Sequence, residues 1–250
     1  MSIKMSFLPF LLALPLVSCS NSSSNNSPWL LDNGKVVCHV ACNGSGNVGE
    51  SVSIDYDQQA RLCSFSDKEG FTRKYNFSGD TASVVDEYGE EYPLELFNAN
   101  SDSRITSLIY GEGFWEYSYD SKGRMTNYEW FSMSSESSEP MSSYTLSWND
   151  NGDLTSVKVK SYDSSYTWNI EYGDELNEFK TPLFGLAHSF IDLDVAFPIV
   201  TTHLPKSVSL RNGKTTYKVE YSFNPDGNIA TESFSSKKGN ITYSYSYRQF

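Results

Sequence analysis

At 250 residues the chain has room for one large domain or two small ones, and its formal net charge is −12. Its 19 Lys and Arg form no basic stripe against 31 Asp and Glu, which sets aside binding to a phosphate backbone, so no nucleic-acid partner is expected. An aromatic fraction of 15% is high and suits a sheet with one face built from rings.

Residues 1–19 read as a lipoprotein signal peptide. Lys4 precedes an apolar run from Phe7 to Val17, too short to span a bilayer stably. The run ends in Leu16-Val17-Ser18-Cys19, an apolar residue and two small ones before a Cys. Cleavage before Cys19, thioether attachment of diacylglycerol and N-acylation would give several chains and a stable anchor. Residues 20–34 read as a flexible Ser/Asn-rich tether, and 35–250 as a single all-β domain built from degenerate two-stranded repeats.

Cys38, Cys42 and Cys63 remain after lipidation, and in an exported protein one disulfide with one thiol left over is expected. Cys38-His39-Val40-Ala41-Cys42 and Cys63 offer three thiols and an imidazole. The spacing resembles no common zinc ribbon, and in an alternating strand His39 points away from Cys38. No metal and no cofactor are expected.

From Val52 the chain is strand and turn almost throughout. Its clearest unit is Tyr117 to Tyr128, in which a three-residue loop Ser121-Lys122-Gly123 joins two strands and Gly123 supplies a positive φ. That register sets Tyr119 opposite Met125 and Asp120 opposite Arg124. The unit recurs at Trp148–Leu154, Phe223–Ile229 and, without the Gly, Tyr56–Leu62. Weaker copies start at Tyr75 and Phe97. The spacing of the starts, about twenty to thirty residues, indicates repeated two-strand units. Asn212-Gly213 and Lys238-Gly239 mark further hairpins, and Ile241, Tyr243, Tyr245 and Tyr247 form a closing strand. Strands apolar on one face predict an all-β, many-stranded antiparallel meander, on the order of a dozen strands, closing into a barrel-like sheet.

From Leu176 to Pro205 the alternation fades. Leu183, Leu186, Ala187, Phe190 and Ile191 fall at helical spacing between Pro182 and Pro198, predicting one irregular or short helical insertion that plugs an end of the β core. A ligand-gating role is the sharper reading of the same segment.

No catalytic constellation is present. His39, His188 and His203 sit in no nucleophile elbow, P-loop or zinc-protease motif, and Asp86, Glu87, Glu90 and Glu91 read as a solvated acidic run, so no enzyme is expected. The loops at Asn149–Asp153 and Asn224–Gly227 look superficially like calcium loops. Counted from Asn149, however, the twelfth position is Lys160 rather than Glu, and turn chemistry explains them. Trp115, Trp148 and Trp168 lie in alternating strands and read as core. Trp130, beside Phe131 and before the polar loop 132–143, is the candidate ligand-stacking ring. Tyr243, Tyr245 and Tyr247 have the opposite parity to Phe250, which breaks the terminal pattern of an outer-membrane barrel and favours a soluble domain tethered by lipid.

The Tyr-Asp-x-x-Gly-Arg-apolar unit at Tyr119–Met125 resembles the YD repeat of large bacterial shell-forming toxins. Lipobox, Ser/Asn tether, degenerate repeats and the block from Leu204-Pro205-Lys206 to Phe234 together resemble a family of uncharacterised lipoproteins of gut Bacteroidetes. That resemblance implies a porin-like fold and no activity. The expectation is a lipid-anchored cell-envelope protein, non-enzymatic, acting as a binding or scaffold module. The alternative is a glycan-binding accessory lipoprotein. Its partners would be the membrane, through the lipid, and a glycan or an envelope protein, with the domain facing the periplasm or the cell surface from the outer membrane.

Overall fold

The computed structural model describes residues 16–17, 30–44, 50–58, 62–67, 72–78, 81–85, 88–97, 102–110, 113–134, 138–191, 199–211 and 215–250. Cys19, most of the signal peptide, tether residues 20–29, Asp86, Glu87 and the Asn212-Gly213 turn lie outside them.

The repeat unit folds in the register its turn demands. Tyr119 pairs with Met125, and the Asp120 N–H donates to the Arg124 carbonyl at 2.9 Å. Asp120 Oδ1 accepts the N–H groups of Lys122 and Arg124, an Asx turn that pins the loop, and Gly123 has φ +82. Trp148 pairs with Leu154, Phe223 with Ile229 and Tyr56 with Leu62, and Gly152 and Gly227 share the positive φ. Each of these hairpins carries a bulge beside the turn, the compensation for a three-residue loop. Gly123→Ala is expected to cost about 1–2 kcal/mol, since a Cβ is strained at that φ. A chemical denaturation curve checks this.

Among the described residues there are seventeen strands: β1 (Leu16–Val17), β2 (Lys35–Gly44), β3 (Glu50–Tyr56), β4 (Leu62–Asp67), β5 (Thr72–Ser78) and β6 (Thr81–Val85). They continue as β7 (Glu91–Phe97), β8 (Asp102–Tyr110), β9 (Gly113–Tyr119), β10 (Met125–Ser132), β11 (Ser142–Trp148) and β12 (Leu154–Ser161). The last are β13 (Ser164–Leu176), β14 (His203–Leu210), β15 (Thr216–Phe223), β16 (Ile229–Ser236) and β17 (Gly239–Gln249). β1 pairs with β8. From β2 to β17 every strand pairs antiparallel with its sequence neighbours, and β17 returns to pair with β2 from Ile241–Gly44 to Gln249–Lys35. Among the described residues each strand from β2 to β17 thus has a paired neighbour on both sides, which leaves little template for edge-to-edge association.

Burial follows the pleat. Trp115 and Tyr117 are buried with Glu116 and Ser118 exposed. Tyr144 and Leu146 are buried with Thr145 and Ser147 exposed, and Val157 and Val159 with Lys158 and Lys160 exposed. Aromatic rings thus line the inner wall, and polar and charged side chains cover the outer one. Neighbouring hairpins are tied at their turns. Arg124 binds the Asp120 carboxylate at 2.7 and 2.6 Å, donates to the Asn149 carbonyl at 2.9 Å and lies 5.5 Å from the centre of the Trp148 ring.

Candidate functional site

The segment between β13 and β14 enters the ring. It contains a single helical turn, α1 (Phe184–Leu186), followed by a π-helical turn at Ala187–Ile191. The five residues read at helical spacing, Leu183, Leu186, Ala187, Phe190 and Ile191, are all buried. The Phe190 ring sits among Phe234 at 4.9 Å, Trp168 at 5.0 Å and Tyr217 at 5.1 Å. Opposite, the Tyr128 hydroxyl donates to the Ile191 carbonyl at 2.5 Å. The segment fills the inner wall as a plug rather than lying over one end.

The plug meets one buried acid. Glu232 Oε2 accepts the Gly185 N–H at 2.8 Å and the Tyr245 O–H at 2.5 Å, and the Tyr245 oxygen accepts the Phe184 N–H at 3.1 Å. Glu232 is fully buried, and burial pushes its carboxyl up to about 7 against the opposing pull of Tyr245, Gly185, Leu186 and Tyr221. The phenols of Tyr221 and Tyr245, desolvated and facing this carboxyl, are pushed well up. A second polar knot joins plug to wall where the Tyr243 oxygen lies 2.9 Å from His188 Nδ1 and 2.8 Å from Ser189 Oγ. Burial holds the His188 imidazole below its ordinary value.

The plug's entry and exit are fixed at the end of the ring that carries the repeat turns. Asn177 and Thr181 exchange side-chain and backbone hydrogen bonds, and the Asn177 N–H donates to the Thr202 carbonyl. Asp153 accepts the His203 N–H at 2.9 Å, meets His203 Nδ1 at 3.0 Å and accepts the Asn149 amide at 3.2 Å. Burial alone would raise the Asp153 carboxyl, but its His203 and Asn149 partners together hold it below the usual carboxylate range. A depressed folded value stabilises the fold above the ordinary carboxylate range and loses that contribution as pH falls through it. Asp153→Asn is therefore expected to flatten the acid limb of a stability-versus-pH curve.

Beside this anchor lies a cleft of about 460 Å³, lined by Asp174, Glu175, Leu176, Asn177, Glu178, Phe179, Thr181, Leu204, Phe223, Gly227 and Ile229. Phe223 and Leu176 are exposed at 43% and 53%, which leaves apolar surface open to a ligand.

The residues singled out in the sequence are dispersed. Trp130 pairs with Trp115 across β9–β10, its ring 6.4 Å away, and is half-buried beside the core. Trp115 is buried, Trp148 donates from Nε1 to the Met125 carbonyl, and Trp168 packs on the plug. The expected disulfide is not formed: Cys38, Cys42 and Cys63 all stand as thiols. Cys38 and Cys42 share β2 four residues apart, roughly 13 Å along an extended strand. Cys63 is on β4, two strand spacings away or roughly 9.6 Å. Both exceed the reach of a disulfide. His39 Nδ1 is 3.2 Å from Ser53 Oγ. The calcium-like loops spend their side chains on their own turns: Asn149 Oδ1 accepts the Asp153 N–H, and Asn224 Oδ1 accepts those of Asp226 and Asn228. Glu232 was missed. Its signal was available, since it shares the parity of Phe234 and so places a carboxyl on the apolar face of β16.

Two solved structures match this architecture. A porin-like protein from Bacteroides uniformis ATCC 8492 superposes with a TM-score of 0.63 at 12% identity, over 85% of this chain and 96% of that one. The fold is porin-like. A porin-like protein from Bacteroides vulgatus ATCC 8482 matches with a TM-score of 0.52 at 15% identity, over 86% of this chain and 99% of that one. No protein-family model matches the chain, and no curated protein sequence does. At such identities the likeness is one of fold. In this porin-like fold the chain's own segment packs against the inner wall on β10, β13 and β15 to β17.

Proposed function

We propose that the protein is a non-enzymatic binding or scaffold module of the cell envelope, held to the outer membrane by lipid on Cys19, with the ring itself in water. The observation that carries this reading is the pairing of a plugged inner wall with a charged outer one. Lys158, Lys160, Glu116, Glu171, Lys218 and Glu220 all project outward. A Lys at the bilayer midplane of a barrel costs about 2–4 kcal/mol, so this wall is a poor lipid-facing belt. The plug leaves no reason to expect a conducting lumen. Anchorage then falls to the N-terminal lipid, with the domain on the periplasmic or the surface side.

The test is to express the full chain and its Cys19→Ser variant with an alkyne fatty acid, then fractionate. Lipid labelling and membrane retention in the wild type, with release into buffer without detergent in the variant, is the expected result. A variant that stays in the membrane, or a wild type that conducts ions in a planar bilayer, overturns the reading.

The cleft beside Phe223 favours a second reading, a glycan-binding accessory protein, because an exposed ring flanked by carboxylates and by Asn177 suits a sugar's apolar face and hydroxyls. A glycan array decides it. Binding lost in Phe223→Ala places the sugar in the cleft, binding lost only in Trp130→Ala places it at the inner-wall rim, and no binding removes this reading.

A further inference from the structure

We propose that Glu232 is a proton-operated latch on the plug: the neutral carboxyl keeps the turn Phe184–Ile191 seated in the ring, and its ionisation lets that turn leave the wall more readily. The geometry makes Glu232 the joint between two parts of the chain. On the plug side, the Gly185 N–H reaches Oε2 directly and the Phe184 N–H reaches it through Tyr245. Gly185 is so close that an added Cβ would stand 2.6 Å from Oε2. On the wall side, Glu232 sits opposite Tyr221 on β15, whose phenol faces the carboxyl in the same buried pocket. The carboxyl is thus held from the plug by Gly185 and from the wall by Tyr245, in a pocket sealed from water.

Among the described residues no positive charge acts on Glu232. Facing it are the phenols of Tyr221 on β15 and of Tyr245 on β17, and the N–H groups of Gly185 and Leu186 on α1. Farther out are the phenols of Tyr172 on β13 and of Tyr243 and Tyr247 on β17. Two other carboxyls act on these phenols, Glu175 on Tyr221 and Asp153 on Tyr172. His188 on the plug touches Tyr243 and is itself kept neutral by burial. When the turn leaves, water reaches Glu232 and its carboxyl returns toward the ordinary value of 4.5, against about 7 when seated. A seated acid with a raised value favours the seated state at low pH. That preference declines as pH rises from the ordinary value to the seated one, and levels off above it. His188 has the opposite sign, favouring release on acidification, so the two must be separated.

Hydrogen–deuterium exchange of the amides in 183–191, read by mass spectrometry from pH 5 to 8 and corrected for intrinsic exchange, separates them in the full chain. His188 is present in both wild type and Glu232→Gln, so the ratio of their opening constants reports Glu232 alone. The expected ratio climbs by roughly 70-fold across this range, while Glu232→Gln alone keeps only the shallow slope of His188. Parallel profiles overturn the proposal. Should Glu232→Gln fail to fold, a carbon-13 titration of the wild-type Glu232 carboxyl replaces it. A midpoint near 7 supports the latch, and one near 4.5 overturns it.

Discussion

Phe190→Ala is expected to lower the free energy of unfolding by about 3–5 kcal/mol, the range for removing a buried aromatic ring. Phe190 is the point at which the plug meets the wall. Its ring contacts Trp168 on β13, Tyr217 on β15 and Phe234 on β16 within about 5 Å, two of them edge-on. Such contacts add to the area buried. The surrounding rings belong to a closed, hydrogen-bonded ladder, so the hole left by the truncation cannot collapse by moving one strand. Chemical denaturation followed by tryptophan fluorescence measures the loss, because Trp168 reports on this contact. Phe223→Ala is the matched control. That ring is exposed, and its removal is expected to change stability by no more than about 0.5 kcal/mol.

Gly185→Ala is expected to destabilise by about 1–3 kcal/mol, the range for overpacking a core. The sign is informative, because helix propensity alone predicts a gain of roughly 1 kcal/mol from replacing a helical Gly with Ala. Packing decides against propensity here. A Cβ on Gly185 would lie 2.6 Å from Phe234 Cε2 and 2.7 Å from Tyr243 Cδ2 as well as meeting Glu232. Both rings are buried in the wall and neither can swing aside. A variant with a raised melting temperature would show that α1 is not seated against β16 and β17 as described.

The hairpins were legible because turn chemistry is local. Asp120, Asn149 and Asn224 use their side-chain oxygens to hold their own loops, and Gly123, Gly152 and Gly227 take the φ those loops require, so register could be counted from a few adjacent residues. The apolar periodicity of the plug was legible for the same reason. Its destination was not: Leu183, Phe190 and Ile191 advertise a buried face without saying whether it lies over the ring or inside it. The disulfide expectation came from compartment chemistry and failed on distance, which depends on the order of strands. Trp130 stands beside a polar loop in the sequence, yet pairing with Trp115 turns its ring to the inner wall. Glu232 shows the remaining limit. Its parity marked it as inward, but gave no sign of the arrival of the Gly185 N–H at its carboxyl across 47 positions.

The seam between β17 and β2 has a kinetic meaning. Every other pairing in the ring joins strands that follow one another in the chain, so those contacts are of low order and can form hairpin by hairpin. Among the strand pairings of the ring the seam alone joins segments far apart in the chain, and beside it the Gln249 amide reaches the Gly34 carbonyl across 215 positions. The entropy of closing that large loop is concentrated in one late step. Until it is taken, an otherwise assembled sheet presents two long edges, and a second chain arriving first would join them in place of its own partner strand.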